Sequence, residues 1–270
     1  MATTSEPPDN GPAEALEARA HHRGPAPQDL VLFGAAARPA LREAVADLSW
    51  LWGRGYAETS ALKLVGDRYR LTERQRMAVR RSSCADAARQ RRLRHQVPLA
   101  DLRGRPLLLD GFNVLLTLET ALGGGVILGG RDGCYRDLAG IHGTYRRVAE
   151  TVPGLEQVGE YLVCWGVGPC TWLLDQPISN SGRVRALIAE LAESRGWDWR
   201  AEVVMSPDAV LAEAPEAVAT ADAAILDRCA GWANLARAVI EARVPTALVV
   251  DLGDTGAGRE AESGPDPGRR

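Results

Sequence analysis

The chain is poor in lysine. Lys63 is the only lysine among 270 residues, and the other strongly basic residues are all arginines. A phosphate-binding P-loop needs a lysine directly after a glycine-rich loop, and Lys63 follows no such loop. P-loop nucleotide-binding proteins are therefore excluded.

Long apolar runs and paired cysteines are also missing. No segment reaches the roughly 18 uninterrupted apolar residues of a membrane-spanning helix, and the first residues lack the basic-then-apolar order of a signal peptide. The five cysteines are scattered, and none of their spacings is that of a zinc-ligand pair. We therefore expect a cytoplasmic protein with reduced thiols and no membrane partner.

What the chain has instead is a basic stretch. The net charge is −3, yet residues 63–94 hold eleven basic residues against three acidic ones. A helical segment over residues 58–65, a Gly66-Asp67 turn and a capping box at Thr72 outline a helix-turn-helix. The arginines lie all around the second helix, which favours contacts to nucleic-acid phosphates over base reading. The predicted contacts are Arg70, Arg74, Arg80 and Arg81; a merely solvated charged helix is the alternative.

Past Pro106 the pattern changes to short apolar segments that alternate with helical ones, which is typical of a mostly parallel sheet covered on both faces. The fold class predicted is α/β, with a basic helical domain over residues 29–104 and a sheet domain over residues 105–254. Residues 1–28 and 255–270 have the composition of a disordered lead and tail. The predicted strands are 106–109, 160–167, 171–174, 200–205, 217–220 and 246–250, with helices over 183–193 and 223–242.

Two aspartates follow apolar strands in this pattern. Asp110 comes directly after Leu107-Leu108-Leu109, and Asp222 follows the segment that ends at Thr220. The carboxyl ends of parallel strands are where such sheets bind ligands, so the two carboxylates are expected to hold a divalent cation. The alternative for Asp110 is a turn or helix-capping role, which aspartate also favours.

The glycine-rich segment over residues 123–147 is harder to interpret. It lacks the glycine spacing of a dinucleotide-binding loop, and its glycines also suit the turns of a simple hairpin. In the functional interpretation, Asp132 and Asp137 add carboxylates to the cation site and Arg136 binds phosphate.

The motifs together resemble an uncharacterised prokaryotic family, the domain of unknown function 434, from about Arg38 to Asp251. The residues that carry the resemblance are Gly55-Tyr56, Ala61 to Leu71, Asp110 to Leu115, Asp132-Gly133, Arg136-Asp137, Asp175 to Gly182 and Thr220 to Asp222. More distantly, the second half resembles the PIN and NYN-type nucleases, with Asp110 and Asn113 matching the first motif and Thr220 and Asp222 the later one. Glu119, Asp132 and Asp137 compete for the position of the middle acid.

The resemblance implies a PIN-like, Mg²⁺- or Mn²⁺-dependent nuclease that hydrolyses phosphodiester bonds, in RNA rather than DNA. Asp110, Asp222, Asp132 and Asp137 are the expected catalytic and metal-binding acids, Asp227 is a further candidate ligand, and Asn113 and Thr220 orient the ligands. Arg183 and Arg136 are expected near the reacting phosphate. A non-catalytic nucleic-acid-binding or regulatory protein on the same scaffold is the alternative, and a homo-oligomer stays open.

Overall fold

The computed structural model describes residues 21–138 and 143–253. Its first part is helical, as predicted. The helices are α1 (Asp29–Leu32), α2 (Arg38–Gly53), α3 (Glu58–Arg68), α4 (Glu73–Ser82) and α5 (Asp86–His95), followed by a 3₁₀ turn over Leu99–Leu102.

The capping box that the sequence predicts at the start of α4 is present. The Thr72 hydroxyl accepts from the Gln75 backbone N–H at 3.3 Å, and the Gln75 side chain accepts from the Thr72 backbone N–H at 3.1 Å. The preceding helix runs on through Gly66 to Arg68, where a turn was expected. A Cβ at position 66 would meet the Arg76 guanidinium, so the glycine allows close packing between α3 and α4.

Residues 21–28, expected to be part of a disordered lead, lie against the body of the protein. The His21 carbonyl accepts from the Ala149 backbone N–H at 3.0 Å, and Arg23 is ion-paired with Glu119. The predicted lead therefore extends too far into the folded part of the chain. The rest of it, residues 1–20, and the predicted tail over 255–270 lie outside the described residues.

The second part is built on a five-stranded parallel sheet, which confirms the predicted α/β class. Its strands are β1 (Leu107–Asp110), β4 (Cys170–Asp175), β5 (Trp199–Val204), β6 (Ala217–Ala219) and β7 (Gly231–Ala233). The order is β5-β4-β1-β6-β7, and every neighbouring pair is parallel. The first strand is thus central, and the chain builds one side of the sheet before it returns to build the other. Such a reversal opens a crevice at the carboxyl ends of the central strands.

Helices cover this sheet: α6 (Gly111–Leu122), α7 (Thr151–Trp165), α8 (Ser181–Arg195), α9 (Pro207–Glu213), α10 (Ala223–Leu226) and α11 (Leu235–Arg243). The largest core joins the sheet with α6, α7, α8 and α11 and includes the fully buried Trp172.

A second sheet has three strands. The glycine-rich segment forms the antiparallel hairpin of β2 (Val126–Gly129) and β3 (Tyr135–Asp137), and β8 (Leu248–Asp251) pairs in parallel with β2. Val126, Leu128 and Val250 of this sheet share one core with α2, α3 and α4. Ile127 and Tyr135 of the same sheet lie in the core of the five-stranded sheet, so the small sheet packs between that core and the helical part of the chain.

Two predicted elements were wrong. Residues 160–167 were expected to form a strand, but residues 160–165 continue α7, in which Leu155, Val158 and Leu162 are buried at helical spacing, and the helix ends before Gly166. The helix expected over residues 223–242 is interrupted by β7, because Trp232 is fully buried beside β6.

No helix within residues 21–138 and 143–253 combines the length and the apolar character needed to cross a membrane.

Candidate active site

Asp110 ends the central strand, and the chain turns at once into α6. Gly111 permits this turn, because a Cβ there would lie 2.6 Å from the Leu173 carbonyl oxygen of the neighbouring strand. The Asp110 carboxyl is 6% exposed and makes no hydrogen bond that caps α6. The capping role considered for this residue is therefore absent.

The turn between β6 and α10 reaches the Asp110 carboxyl from the next strand. The Thr220 hydroxyl donates to Asp110 Oδ2 at 2.6 Å and accepts from the Asp222 backbone N–H at 3.0 Å. Asn113, in the first turn of α6, accepts from the Ala221 backbone N–H at 2.9 Å. The structure thus brings together two pairs of residues, Asp110 with Asn113 and Thr220 with Asp222, that are about a hundred positions apart in the chain.

Asp222 also has a local role. Its Oδ1 accepts from the backbone N–H groups of Ala224 at 2.8 Å and Ile225 at 3.3 Å, so it caps the short helix α10. This cap uses one carboxylate oxygen and holds the side chain at the carboxyl edge of the sheet.

Carboxylates dominate the electrostatics of this edge. Burial raises the pKa of Asp110 to about 7, and the charges of Asp222, Asp208 and Asp175 add to the rise, while the Thr220 hydrogen bond opposes it. The pKa of Asp175 is raised by burial and by Asp208, and that of Asp208 by burial and by Asp222. The four aspartates lie at or just after the carboxyl ends of β1, β4, β5 and β6 and form one electrostatically coupled group, which we call the acidic edge.

Two members of the acidic edge were not predicted as ligands. Asp175 stands directly after the strand predicted over residues 171–174 and in a motif that carries the family resemblance, and Asp208 belongs to no motif of that resemblance. Asp208 comes three residues after Met205, where the strand predicted over residues 200–205 ends. The rule that pointed to Asp110 could therefore have found it.

Asp132 lies elsewhere, in a buried ion-pair network. It accepts from Arg92 Nη1 at 2.6 Å and from Arg136 Nη1 and Nη2 at 2.9 and 2.6 Å. Burial alone would raise the pKa of Asp132, but Arg136 and Arg92 hold it far below its usual range. Arg136 Nε also donates to the Ala221 carbonyl at 2.8 Å, so this network supports the turn that carries Asp222.

Asp137 and Asp227 are likewise engaged. The Thr117 hydroxyl donates to Asp137 Oδ2 at 3.2 Å, and Arg81 Nη2 lies 3.9 Å from the same oxygen. Asp227 accepts from Arg92 Nε at 2.7 Å and Nη2 at 2.8 Å. The contacts of Asp132, Asp137 and Asp227 do not support the metal-binding role predicted for them, since each already faces a guanidinium group.

Several arginines predicted to bind nucleic acid are in ion pairs. Arg74 binds the buried Asp29 through Nε at 2.5 Å and Nη2 at 2.8 Å, and Arg80 pairs with Glu58 on the neighbouring helix. Arg136 is buried, so it cannot contact a nucleic-acid strand at the protein surface. The helical surface therefore has fewer available cations than its composition suggests.

Arg70 and Arg183 remain exposed. Arg70 follows α3 with a positive φ of 51°, and Arg183 lies in the first turn of α8, after the loop that leaves Asp175. Of the predicted nucleic-acid contacts, Arg183 is the one that lies next in sequence to the acidic edge.

Within residues 21–138 and 143–253, no three His, Cys, Asp or Glu side chains are close enough to enclose a metal ion. Mg²⁺ is commonly held by one or two carboxylates, with waters and substrate phosphates completing its coordination. The hard oxygen donors of the acidic edge fit that pattern, but they do not form a closed cage.

Comparison with known proteins identifies two matching family models. The model of a domain of unknown function, DUF5616, matches residues 99–238, and that of a protein of unknown function, DUF434, matches residues 40–95. The predicted resemblance to DUF434 is therefore confirmed for the helical part, while a separate model covers most of the sheet. An uncharacterized protein of Methanocaldococcus jannaschii is 28% identical over 186 residues, which cover 69% of this chain and 88% of the archaeal protein. No solved structure matches the chain.

Proposed function

Since the chain belongs to the DUF5616 family and carries a DUF434 segment ahead of that domain, we propose that this combination forms a divalent-metal-dependent nuclease, with the acidic edge as its active site. RNA in the cytoplasm is the proposed substrate. The reaction is hydrolysis of a phosphodiester bond.

The observation that carries this proposal is the electrostatic state of Asp110. A buried carboxyl with a pKa of about 7, beside three further carboxylates, is costly to ionise without a cation. Such perturbed groups concentrate at functional sites, whereas Asp132 shows how this fold neutralises a structural acid with arginines. The charges that act on Asp110 are instead those of other carboxylates, which favours a bound cation as its counter-charge.

Asp110 and Asp222 are the residues proposed to hold a Mg²⁺ or Mn²⁺ ion, with Asp175 and Asp208 adding negative charge around it. When bound, such an ion supplies an activated water and neutralises charge on the phosphate. Oxygen ligands suit these hard ions.

The remaining residues of the site act by orientation. Thr220 donates to Asp110 Oδ2, so that the other oxygen of this carboxylate, Oδ1, points away from Thr220. Asn113 holds the backbone at Ala221, which sets the position of Asp222. These contacts fix both proposed ligands before any substrate arrives, as catalysis by positioned charge requires.

The test is calorimetric titration of Mn²⁺ into the wild type, Asp110→Asn and Asp222→Asn, with cleavage of mixed single-stranded RNA measured on the same samples. Asparagine can still accept the Thr220 hydrogen bond at position 110 and can still cap α10 at position 222. We expect Mn²⁺ affinity to fall in both variants and cleavage to drop by about a hundredfold or more, because the ion supplies several kcal/mol of transition-state stabilisation.

Asp198→Asn is the matched control. Asp198 is exposed and directly precedes β5, so it lies at the amino-terminal ends of the strands, away from the acidic edge. Its substitution should therefore leave both measurements unchanged. A wild type that neither binds Mn²⁺ nor cleaves RNA would contradict the proposal and favour a non-catalytic nucleic-acid-binding protein. Equal cleavage by wild type and Asp110→Asn would contradict it as well.

A further inference from the structure

A cavity of about 310 Å³ lies beside the start of α8. It is lined by Tyr145, Arg147, Asn180, Arg183, Val184 and Leu187. One wall comes from the segment over residues 143–147, which is tied to the loop before α8 by backbone hydrogen bonds from Ser179 to Gly143 and from Tyr145 to Ser179. The other wall is the first two turns of α8.

Two guanidinium groups give this cavity its charge. Arg147 and Arg183 are both exposed, and within the described residues neither forms an ion pair or a side-chain hydrogen bond. This distinguishes them from Arg74, Arg80 and Arg92, whose charges are matched by acids. Asn180 donates from Nδ2 to the Tyr145 carbonyl at 2.8 Å, so its amide is held in place at the cavity.

Three of the lining residues are apolar or aromatic. Val184 and Tyr145 are buried, and Leu187 is half-buried. The Tyr145 hydroxyl is bonded to the buried Glu119 and Thr151, and its ring lies 5.2 Å from that of Phe112. The cavity wall is thus held by buried contacts and is present before any ligand binds.

The cavity also lies close to the acidic edge in the chain. The Ser181 hydroxyl, at the start of α8, donates to the Asp175 carbonyl at 2.5 Å and to the Ile178 carbonyl at 2.7 Å. The loop of residues 176–180 therefore connects Asp175 of the acidic edge directly to Asn180 in the cavity wall.

We propose that this cavity binds one nucleoside monophosphate unit, with its phosphate between Arg147 and Arg183 and its base against Tyr145, Val184 and Leu187. A guanidinium group can donate two parallel hydrogen bonds to phosphate oxygens, and apolar side chains suit contact with the face of a base. The volume is at the lower end of ligand pockets, which start at roughly 300 Å³, and therefore suits one nucleotide. That this nucleotide belongs to an RNA substrate rests on the proposed function; the binding itself does not.

The experiment is calorimetric titration of adenosine 5′-monophosphate, adenosine and inorganic phosphate into the full chain in EDTA. We expect the nucleotide to bind at least about tenfold more tightly than adenosine or phosphate alone, because only the nucleotide can contact both the two arginines and the apolar residues of the cavity. Arg147→Ala and Arg183→Ala should each weaken nucleotide binding by about tenfold, the usual loss for a hydrogen bond to a charged group.

Arg185→Ala is the matched control, since Arg185 is exposed on the same helix but does not line the cavity. Its nucleotide affinity should stay within about twofold of the wild type, the small effect expected of a distant surface charge. Equal losses in Arg185→Ala and Arg183→Ala, no nucleotide binding by the wild type, or phosphate binding as tight as nucleotide binding would each overturn the proposal.

Asp110→Asn separates this inference from the proposed nuclease. Because the titration contains no divalent cation, this variant should bind the nucleotide like the wild type. Nucleotide binding without RNA cleavage by the wild type would refute the nuclease alone, and cleavage without nucleotide binding would refute the cavity alone.

Discussion

Asp110 and Asp132 are both buried aspartates, and the fold treats them in opposite ways. Asp110 is 6% exposed and faces other carboxylates, so its pKa is raised to about 7. Asp132 is 2% exposed and lies between two guanidinium groups, so its pKa is lowered. Both residues are buried, so it is the charge of the neighbouring groups that distinguishes them. Asp132 already has guanidinium groups as counter-charges, whereas Asp110 needs a cation.

Asp110→Asn should stabilise the protein at alkaline pH. The pKa of Asp110 is about 7 in the folded protein against an ordinary value of 3.8, so folding favours the protonated form. Stability is therefore lost as pH rises from about 4 to about 7, and the loss is complete above that range. At pH 8.5 in EDTA the variant should be more stable than the wild type by up to about 4 kcal/mol, with no difference below pH 4. Urea unfolding at both pH values measures this.

Asp132→Asn provides the contrast. It leaves Arg92 and Arg136 without their shared carboxylate and should lower the free energy of unfolding at pH 7 by about 3–5 kcal/mol. If Asp110→Asn were instead the destabilised variant at pH 8.5, Asp110 would be an ordinary structural acid.

At the scale of elements, the junction of a strand with the following helix sets the geometry of the acidic edge. Gly111 brings α6 against β4, and Asn113 of the same helix holds the turn that follows β6. Helix α6 therefore connects the strands on both sides of β1. Its close approach to β4 depends on the missing Cβ at position 111.

Gly111→Ala should destabilise the protein by about 1–3 kcal/mol, because the new Cβ would overpack against the backbone oxygen of Leu173. Gly154→Ala is the control within α7, where the nearest atom to a new Cβ is Leu118 Cβ at 3.5 Å, an ordinary contact. That variant should be neutral or gain up to about 1 kcal/mol of helix propensity. Equal urea midpoints for the two variants would show that the close approach at position 111 is not limiting.

At the scale of the whole molecule, the helical part and the sheet part are joined through shared packing. The small sheet of β2, β3 and β8 lies in one core with α2, α3 and α4. Arg92 of α5 binds Asp132 and Asp227 from the sheet part, and its carbonyl accepts from Trp232 Nε1 at 2.7 Å. The boundary expected near residue 104 marks a change of secondary structure, but the core crosses it.

The chain should therefore unfold in a single cooperative transition. Far-ultraviolet circular dichroism, which follows the helices, and tryptophan fluorescence, to which the buried Trp172 and Trp232 contribute, should give the same midpoint. Arg92→Ala should lower both midpoints together, because it leaves buried Asp132 with one partner fewer. Two separated transitions in the wild type would mean that the parts unfold independently.

The sequence determined by itself the features that depend on neighbouring residues. The capping box at Thr72, the hairpin of the glycine-rich segment and the strand ending at Asp110 are local patterns, and all three are present. That Asp110 and Asp222 lie at the same edge also followed from local patterns, since parallel strands place their carboxyl ends at one edge.

Only the tertiary structure decided which other acids join that edge. Asp132, Asp137 and Asp227 match the expected chemistry in sequence, but the fold places guanidinium groups beside them. Asp175 and Asp208 are brought beside Asp110 instead, because the strand order places β4 and β6 next to β1. Which charged groups interact depends on their distance in space. Strand order and helix packing determine that distance, and spacing along the chain does not reveal it.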